Sequence, residues 1–213
     1  MKNRKQKSCL EKYTNKKADY FSKIEGFDDS ELMAVNDKIK KHLYQTLNLI
    51  DAMKVDSGAT DTLSAFFTQL KELLIGKKPI QALVFYFNRD GGELFLSAYG
   101  ALKPDSFMDK ELSLSNRLDN EVVGEIGPIK IFNYNEIKED ALYYDEIDDC
   151  DLEYENDYIN ELIILKAHAI FEEILLKLDL KNLLSDIQII SPFYSYIQEH
   201  DGGESNLLTI FEK

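Results

Sequence analysis

The feature that most constrains the fold of this chain is a pair of apolar runs on either side of a glycine turn. Residues 82–87 and 94–99 consist almost wholly of apolar and aromatic side chains, and Asp90-Gly91-Gly92 lies between them. Two runs of this length flanking an Asp-Gly step predict a β-hairpin. We expect Asp90 and Gly91 to form a type I′ turn, in which both central residues adopt positive φ.

The position of this turn predicts the register of the hairpin. Three apolar pairs should face each other on one side of it: Phe87 with Leu94, Phe85 with Leu96, and Leu83 with Ala98. The other side is also apolar or aromatic and carries Val84, Tyr86, Phe95 and Tyr99. Because neither side is polar, we expect both to be covered at least in part, which places the hairpin in the centre of a sheet.

Helical periodicity of apolar residues predicts four helices around the hairpin. They span about residues 5–24, 28–53, 60–75 and 157–178. The last is apolar on nearly every side, which is typical of a helix buried against a sheet. The first is rich in lysine, so we interpret residues 1–24 as a basic N-terminal helix or arm that docks on an acidic surface of its own chain or of another, or is simply solvated.

Further strands are predicted in the second half of the chain. Short strands fit residues 121–123 and 129–132, and a strand interrupted at Pro192 is followed by a partner at residues 207–211. This last pair flanks a second Asp-Gly-Gly turn at residues 201–203. Clear strands that occur in adjacent pairs favour an α+β fold over a parallel doubly wound sheet.

We therefore predict a single α+β domain over residues 1–213, because no Gly/Pro/Ser-rich linker divides the chain. It should have a mainly antiparallel sheet of four to six strands, including two Asp-Gly-Gly hairpins, with helices packed on one face. The sequence Asp-Gly-Gly-Glu at residues 90–93 and 201–204 fits either a duplicated helix-plus-hairpin unit or independent use of a favoured turn.

The charge of the chain is unevenly distributed. The formal net charge is −14, but residues 1–24 contain eight Lys or Arg against two acidic residues, which gives +6 there and −20 on residues 25–213. Affinity for nucleic acid depends largely on Lys and Arg contacts to phosphate, so we expect no nucleic acid partner. A body this acidic should attract a basic protein instead.

No stretch of 18 consecutive apolar residues is present, and no apolar signal-peptide core follows the basic N-terminus. We therefore expect a cytoplasmic protein with no membrane partner. The two cysteines, Cys9 and Cys150, do not form the framework of a disulfide-rich fold.

Residues 139–157, which we call the acidic segment, are the most unusual part of the chain. They contain ten carboxylates and no Lys or Arg. Clustered carboxylates steer a cationic partner toward a surface, and interleaved tyrosines supply desolvated contacts. We predict that the partner-binding residues are the tyrosines and the central carboxylates of this segment: Tyr143, Tyr144, Asp145, Glu146, Asp148, Asp149, Asp151, Glu153, Tyr154 and Glu155.

Familiar catalytic motifs are absent, including a phosphate loop, a nucleophile elbow and Cys/His zinc spacing. Alternating carboxylates from Asp149 resemble the start of a calcium loop, but Tyr154 occupies the sixth position, where such a loop requires glycine. His168 and Glu172 lie one helical turn apart, as metal ligands can, although a hydrogen-bonded or solvated histidine is the commoner case. We predict no cofactor and no metal site.

These observations favour a non-enzymatic acidic interaction module that binds a basic protein, as small bacterial proteins that neutralise toxins do. A solubilising role for the acidic segment is the simpler interpretation. The alternative function is a metal-dependent hydrolase or nuclease that uses Asp105, Glu136 and Lys138, since Asp followed by Glu-x-Lys echoes the metal site of restriction-type nucleases. The acidic body opposes that alternative because it would repel DNA.

Overall fold

A computed structural model describes residues 8–26, 33–55, 57–88, 91–102, 120–130, 153–200 and 205–211. In this part of the chain the helices are α1 (Cys9–Gly26), α2 (Met33–Ala52), α3 (Ala59–Leu74), α4 (Glu153–Lys177) and the short α5 (Leu180–Leu183). The strands are β1 (Ile80–Asn88), β2 (Glu93–Tyr99), β3 (Glu121–Lys130), β4 (Ile189–Glu199) and β5 (Asn206–Phe211). None of the described helices is both long and apolar enough to span a membrane.

The five strands form one sheet in the order β3-β2-β1-β4-β5. Three neighbouring pairs are antiparallel, and the pair of β1 and β4 is parallel. The predicted α+β fold with a mainly antiparallel sheet is therefore confirmed. The parallel pair joins two antiparallel pairs, β1–β2 and β4–β5, side by side.

The register predicted for the central hairpin is confirmed. Phe85 lies opposite Leu96, Phe87 lies opposite Leu94, and the last pair before the turn is Asn88 with Glu93. The predicted turn type is wrong, because the glycine with positive φ is Gly92, at 62°, and not Gly91. The same register thus closes through a turn whose left-handed residue is the one immediately before β2.

Phe85 is fully buried at the centre of the helix-covered face of the sheet. Its ring centroid lies 4.6 Å from that of Phe171 at the C-terminal part of α4 and 6.4 Å from that of Phe67 on α3. Tilted and edge-on ring contacts at these distances stabilise a core beyond the area that they bury. Aromatic packing therefore holds α3 and the part of α4 from Phe171 onward against this face.

The predicted interruption of a strand at Pro192 is a local slip in the register of β4. Ile80 lies opposite Ile189, whereas Ala82 lies opposite Tyr194. The buried side chain of Gln81 spans this irregularity, since its Nε2 donates to the Pro192 carbonyl at 3.2 Å and its Oε1 accepts from the backbone N–H of Leu102 at 2.8 Å. β4 can therefore continue through the proline because a side-chain amide satisfies backbone groups that the ladder leaves open.

The described chain forms two compact units. The first comprises Met1–Lys54 and Asn133–Ile170, and the second comprises Val55–Phe132 and Phe171–Lys213. Helix α4 contributes its residues up to Ile170 to the first unit, and the sheet belongs wholly to the second. The single-domain organisation expected over residues 1–213 stays a prediction.

Helix α1, in the first unit, buries one cysteine and two tyrosines. Cys9, Tyr13 and Tyr20 are buried, whereas Leu10 is 59% exposed and Phe21 is 44% exposed. Tyrosine can bury its ring while its hydroxyl finds a polar partner, as the Tyr13 hydroxyl does with Asp51.

The burial of α4 predicts how unevenly it tolerates charge. Leu162 is 0% exposed and Leu176 is 68% exposed. Leu162→Asp should lower the free energy of unfolding by more than about 4 kcal/mol or prevent soluble expression, because it buries an unpaired carboxylate. Leu176→Asp on the same helix should change it by less than about 0.5 kcal/mol. Urea denaturation would measure both, and equal loss in the two variants would show that α4 is not a core helix.

The left-handed turn residue generates a second stability prediction. Gly92→Ala should destabilise by about 1–3 kcal/mol, because an L side chain is strained at positive φ. At Gly91 an added Cβ would come within 3.0 Å of only the flexible Glu93 side chain, so Gly91→Ala should cost less than about 1 kcal/mol. A larger drop in the urea midpoint for Gly91→Ala than for Gly92→Ala would show that Gly92 is not the left-handed residue of the turn.

Candidate functional site

The predicted partner-binding segment lies largely outside the described residues. Seven of the ten predicted site residues are not among the described residues: Tyr143, Tyr144, Asp145, Glu146, Asp148, Asp149 and Asp151. The other three, Glu153, Tyr154 and Glu155, form the first turn of α4, which begins four residues earlier than expected. Glu is common in the first turn of a helix, and residues 153 and 155 are both Glu.

The sequence contains partial patterns of two other sites, a calcium loop starting at Asp149 and a nuclease-like metal site. The calcium-loop interpretation is wrong, because a twelve-residue loop starting at Asp149 would have to include residues that are helical from Glu153 onward. The three proposed nuclease residues, Asp105, Glu136 and Lys138, lie outside the described residues. That alternative stays a prediction.

Several charged and aromatic side chains meet around Tyr158, in the first unit. Lys16 Nζ and Lys23 Nζ lie 4.0 and 3.8 Å from the centroid of the Tyr158 ring, in cation–π geometry. Tyr20 stacks on the same ring at a centroid separation of 5.7 Å. The Tyr158 hydroxyl donates to Asp19 at 2.9 Å, so both the face and the edge of this ring hold α1.

Two lysines of α1 also form ion pairs with acidic residues of their own chain. Lys16 pairs with Glu161 on α4, and Lys17 pairs with Asp51 on α2. Asp51 also accepts a hydrogen bond of 2.6 Å from the hydroxyl of Tyr13. Partial burial alone would raise the pKa of the Asp51 carboxyl, but the hydrogen bonds from Lys17 and Tyr13 outweigh it and hold the pKa below its usual value.

These contacts show which surface the basic helix uses. Lys16, Lys17 and Lys23 all contact groups on α2 or α4 within the first unit. The described part of α1 thus has three lysines in contact with acidic or aromatic groups of its own chain. Because these three cations already contact groups of their own chain, they are less available to an acidic partner.

A second cluster of polar aromatic groups lies on one face of the sheet. The register of β1 with its neighbours brings four tyrosines to this face: Tyr86, Tyr99, Tyr194 and Tyr196. The hydroxyls of Tyr86 and Tyr99 are 2.8 Å apart and share a hydrogen bond, and the rings of Tyr194 and Tyr196 stack at 6.0 Å. Sequence reasoning identified Tyr86 and Tyr99 but missed the other two, although their spacing of two residues in a strand indicates a common face.

His200, directly after β4, closes one end of this tyrosine face. Its Nε2 lies 3.3 Å from Glu125 Oε1 on β3, and its ring centroid lies 5.4 Å from that of Phe95. The backbone N–H of His200 donates to the carbonyl of Phe87 at 2.8 Å. The imidazole is therefore positioned by β1, β2 and β3 together.

The protonation of the tyrosines limits the chemistry of this face. Burial, reinforced by the hydrogen bond with Tyr99 and by nearby Glu125 and Glu121, raises the pKa of Tyr86 far above its usual value. Burial also raises the pKa of Tyr99. Both phenols are therefore neutral near pH 7, so they can donate or accept hydrogen bonds but cannot serve as a general base. Neutral hydroxyls on an aromatic surface are suited to binding.

The proposed histidine–carboxylate pair on α4 has an unusual histidine. His168 is fully buried, and burial together with the positive charge of Lys12 lowers the pKa of its imidazole to about 3. Within the described ranges, no group of three or more His, Cys, Asp or Glu side chains is arranged to hold a metal ion. His168 is therefore a neutral core residue at physiological pH.

No family model, curated protein or solved structure matches this chain.

The buried imidazole generates a pH prediction. An unfolded histidine binds a proton below about pH 6.5, whereas folded His168 does so only near pH 3, so stability is full above pH 6.5 and falls as the pH decreases toward 3. Between pH 7 and pH 5 this group should remove about 2 kcal/mol from the free energy of unfolding. Urea denaturation of wild type and His168→Leu at both pH values measures it, because only wild type carries this dependence. Parallel pH profiles would contradict the assignment.

Proposed function

We propose that this chain is a non-enzymatic interaction module whose acidic segment, residues 139–157, binds a basic protein. The observation that supports the proposal most directly is the way in which α1 is held. Lys16 and Lys17 pair with Glu161 and Asp51 on other helices of the first unit. Both of these cations are thus paired with carboxylates outside residues 139–157.

The acidic segment carries a strong and localised negative charge of its own. Residues 139–157 contain ten carboxylates and no Lys or Arg, within a chain that carries −20 outside its first 24 residues. A single-sign surface raises the rate at which an oppositely charged partner is encountered, and salt weakens the effect. Nucleic acid is the wrong partner for such a field, since its phosphates carry the same sign.

Affinity also requires contacts that exclude water. Tyr143, Tyr144 and Tyr154 interrupt the carboxylates, and tyrosine is among the residues that contribute most when buried at an interface. Tyr154 lies in the first turn of α4 together with Glu153 and Glu155. A helical turn orders these three residues before binding, which reduces the entropy lost on association.

A protein with these properties would act by covering the cationic surface of its partner. If that partner is a basic toxin or another protein with a nucleic-acid-binding cleft, the acidic segment would compete with phosphate for the same lysines and arginines. We further propose that the chain works in the cytoplasm and belongs functionally with bacterial immunity proteins.

Kinetics against a captured partner would test the role of the acidic segment. The chain is used at low salt to isolate basic proteins from its source organism, and association is followed by surface plasmon resonance at two salt concentrations. Replacing Asp145, Glu146, Asp148 and Asp149 by Asn or Gln should lower the on-rate about tenfold or more at low salt, because steering acts mainly on encounter. The difference should shrink at high salt.

A matched control separates local steering from overall charge. Asp61, Glu72, Glu121 and Glu173 are exposed carboxylates of the second unit, and neutralising these four changes the net charge by the same amount. The control variant should retain most of the wild-type on-rate. Equal on-rates for wild type and the segment variant at both salt concentrations would reduce the acidic segment to a solubility device and refute the proposal.

A further inference from the structure

A cationic and apolar surface lies at the C-terminal end of α3, in the second unit. Ile75 is 80% exposed, more than any other large hydrophobic side chain that the structure describes, and Leu73 is 42% exposed. Lys71, Lys77 and Lys78 surround them in the sequence. We call these five residues the lysine patch.

The lysine patch borders a cavity of about 160 Å³. Its lining combines cationic, amide and aliphatic groups: Lys71, Leu74, Ile75, Gly76, Lys77, Lys78, Asp186, Ile187 and Gln188. Lys71 Nζ forms an ion pair of 3.2 Å with Asp186. Lys77 and Lys78 are exposed and form no ion pair with any other described residue.

Helix capping explains only part of this arrangement. Cations in the last turn of a helix interact favourably with the negative end of its dipole, which accounts for Lys71. The effect decays within that turn, whereas Lys77 and Lys78 follow the end of α3 at Leu74. Capping also gives no reason to expose Ile75 beside a cavity, since exposed apolar surface next to charge is typical of an interaction site.

The chemistry of the patch specifies its occupant. A complementary segment must present carboxylates for the lysines and apolar or aromatic side chains for Leu73 and Ile75. The acidic segment of this chain has both, because Tyr143, Tyr144 and Ile147 interrupt its carboxylates. Every copy of the protein therefore carries one lysine patch and one acidic segment, which are oppositely charged.

We propose that the lysine patch of one copy binds the acidic segment of a second copy. The patch and the segment are different surfaces, so two copies can exchange segments reciprocally in a closed pair, and larger numbers of copies can form rings or open chains. Self-association of this kind occupies the acidic segment in the absence of a basic partner. A basic partner would then dissociate the assembly by competing for the segment.

The proposal shares the acidic segment with the proposed function, but the two can fail separately. Binding to a basic partner requires nothing of Lys77 or Lys78, whereas self-association requires both. A chain that stays monomeric yet binds a basic partner would refute the self-association proposal alone. A chain that self-associates through the patch but captures no basic protein would refute only the proposed function.

Sedimentation velocity of the full chain at low and high salt tests the proposal. Wild type should associate with increasing concentration at low salt and dissociate at high salt, because exposed charge pairs are screened. Lys77→Glu with Lys78→Glu should weaken association about tenfold or more. Lys40→Glu with Lys41→Glu on α2 changes the net charge equally and should leave association close to wild type.

Mixing two variants, one altered in the acidic segment and one altered in the lysine patch, is the decisive experiment. Asp148→Lys with Asp149→Lys should also weaken association, and mixing this variant with the Lys77→Glu, Lys78→Glu variant should restore it, because the unaltered patch of the first variant then meets the unaltered segment of the second. Monomeric wild type at low salt would overturn the proposal. So would equal weakening by the Lys40 and Lys41 variant, or failure of the mixed variants to associate.

Discussion

The second unit depends on the burial of β1 on both of its faces. Six consecutive residues from Ile80 to Phe85 are buried, and β1 has β2 on one side and β4 on the other. A shift of one residue in either pairing would exchange Phe85, which packs against Phe67 and Phe171, with a residue of the opposite face. The aromatic contacts of the helices therefore lock the register of the whole sheet, including the tyrosine face.

Local patterns were sufficient to predict the parts of the fold that local geometry decides. The pairing of Phe87 with Leu94 follows from alternation and from the position of the glycines. The choice of Gly92 over Gly91 as the left-handed residue does not, because either glycine accepts positive φ. The parallel pairing of β1 with β4 was not predictable, since strands so distant in sequence carry no local signal of their neighbours.

The candidate site shows the same division between local and distant information. Composition identified the acidic segment and the basic N-terminal residues, but only the structure shows that Lys16 and Lys17 pair with Glu161 and Asp51. Ion pairs between separate helices depend on tertiary packing, which a charge pattern cannot specify. The solvent-exposed lysine patch escaped sequence reasoning because lysines after a helix look like ordinary C-terminal caps.

We propose that the acidic segment is the surface that a basic partner covers. Hydrogen exchange followed by mass spectrometry, with and without the captured partner, tests that claim most directly, because it maps protection along the whole chain. Protection on binding should increase in peptides that cover residues 139–157 and change little in peptides from β1 and β2. Protection confined to other peptides, with residues 139–157 exchanging as fast as in the free chain, would contradict it.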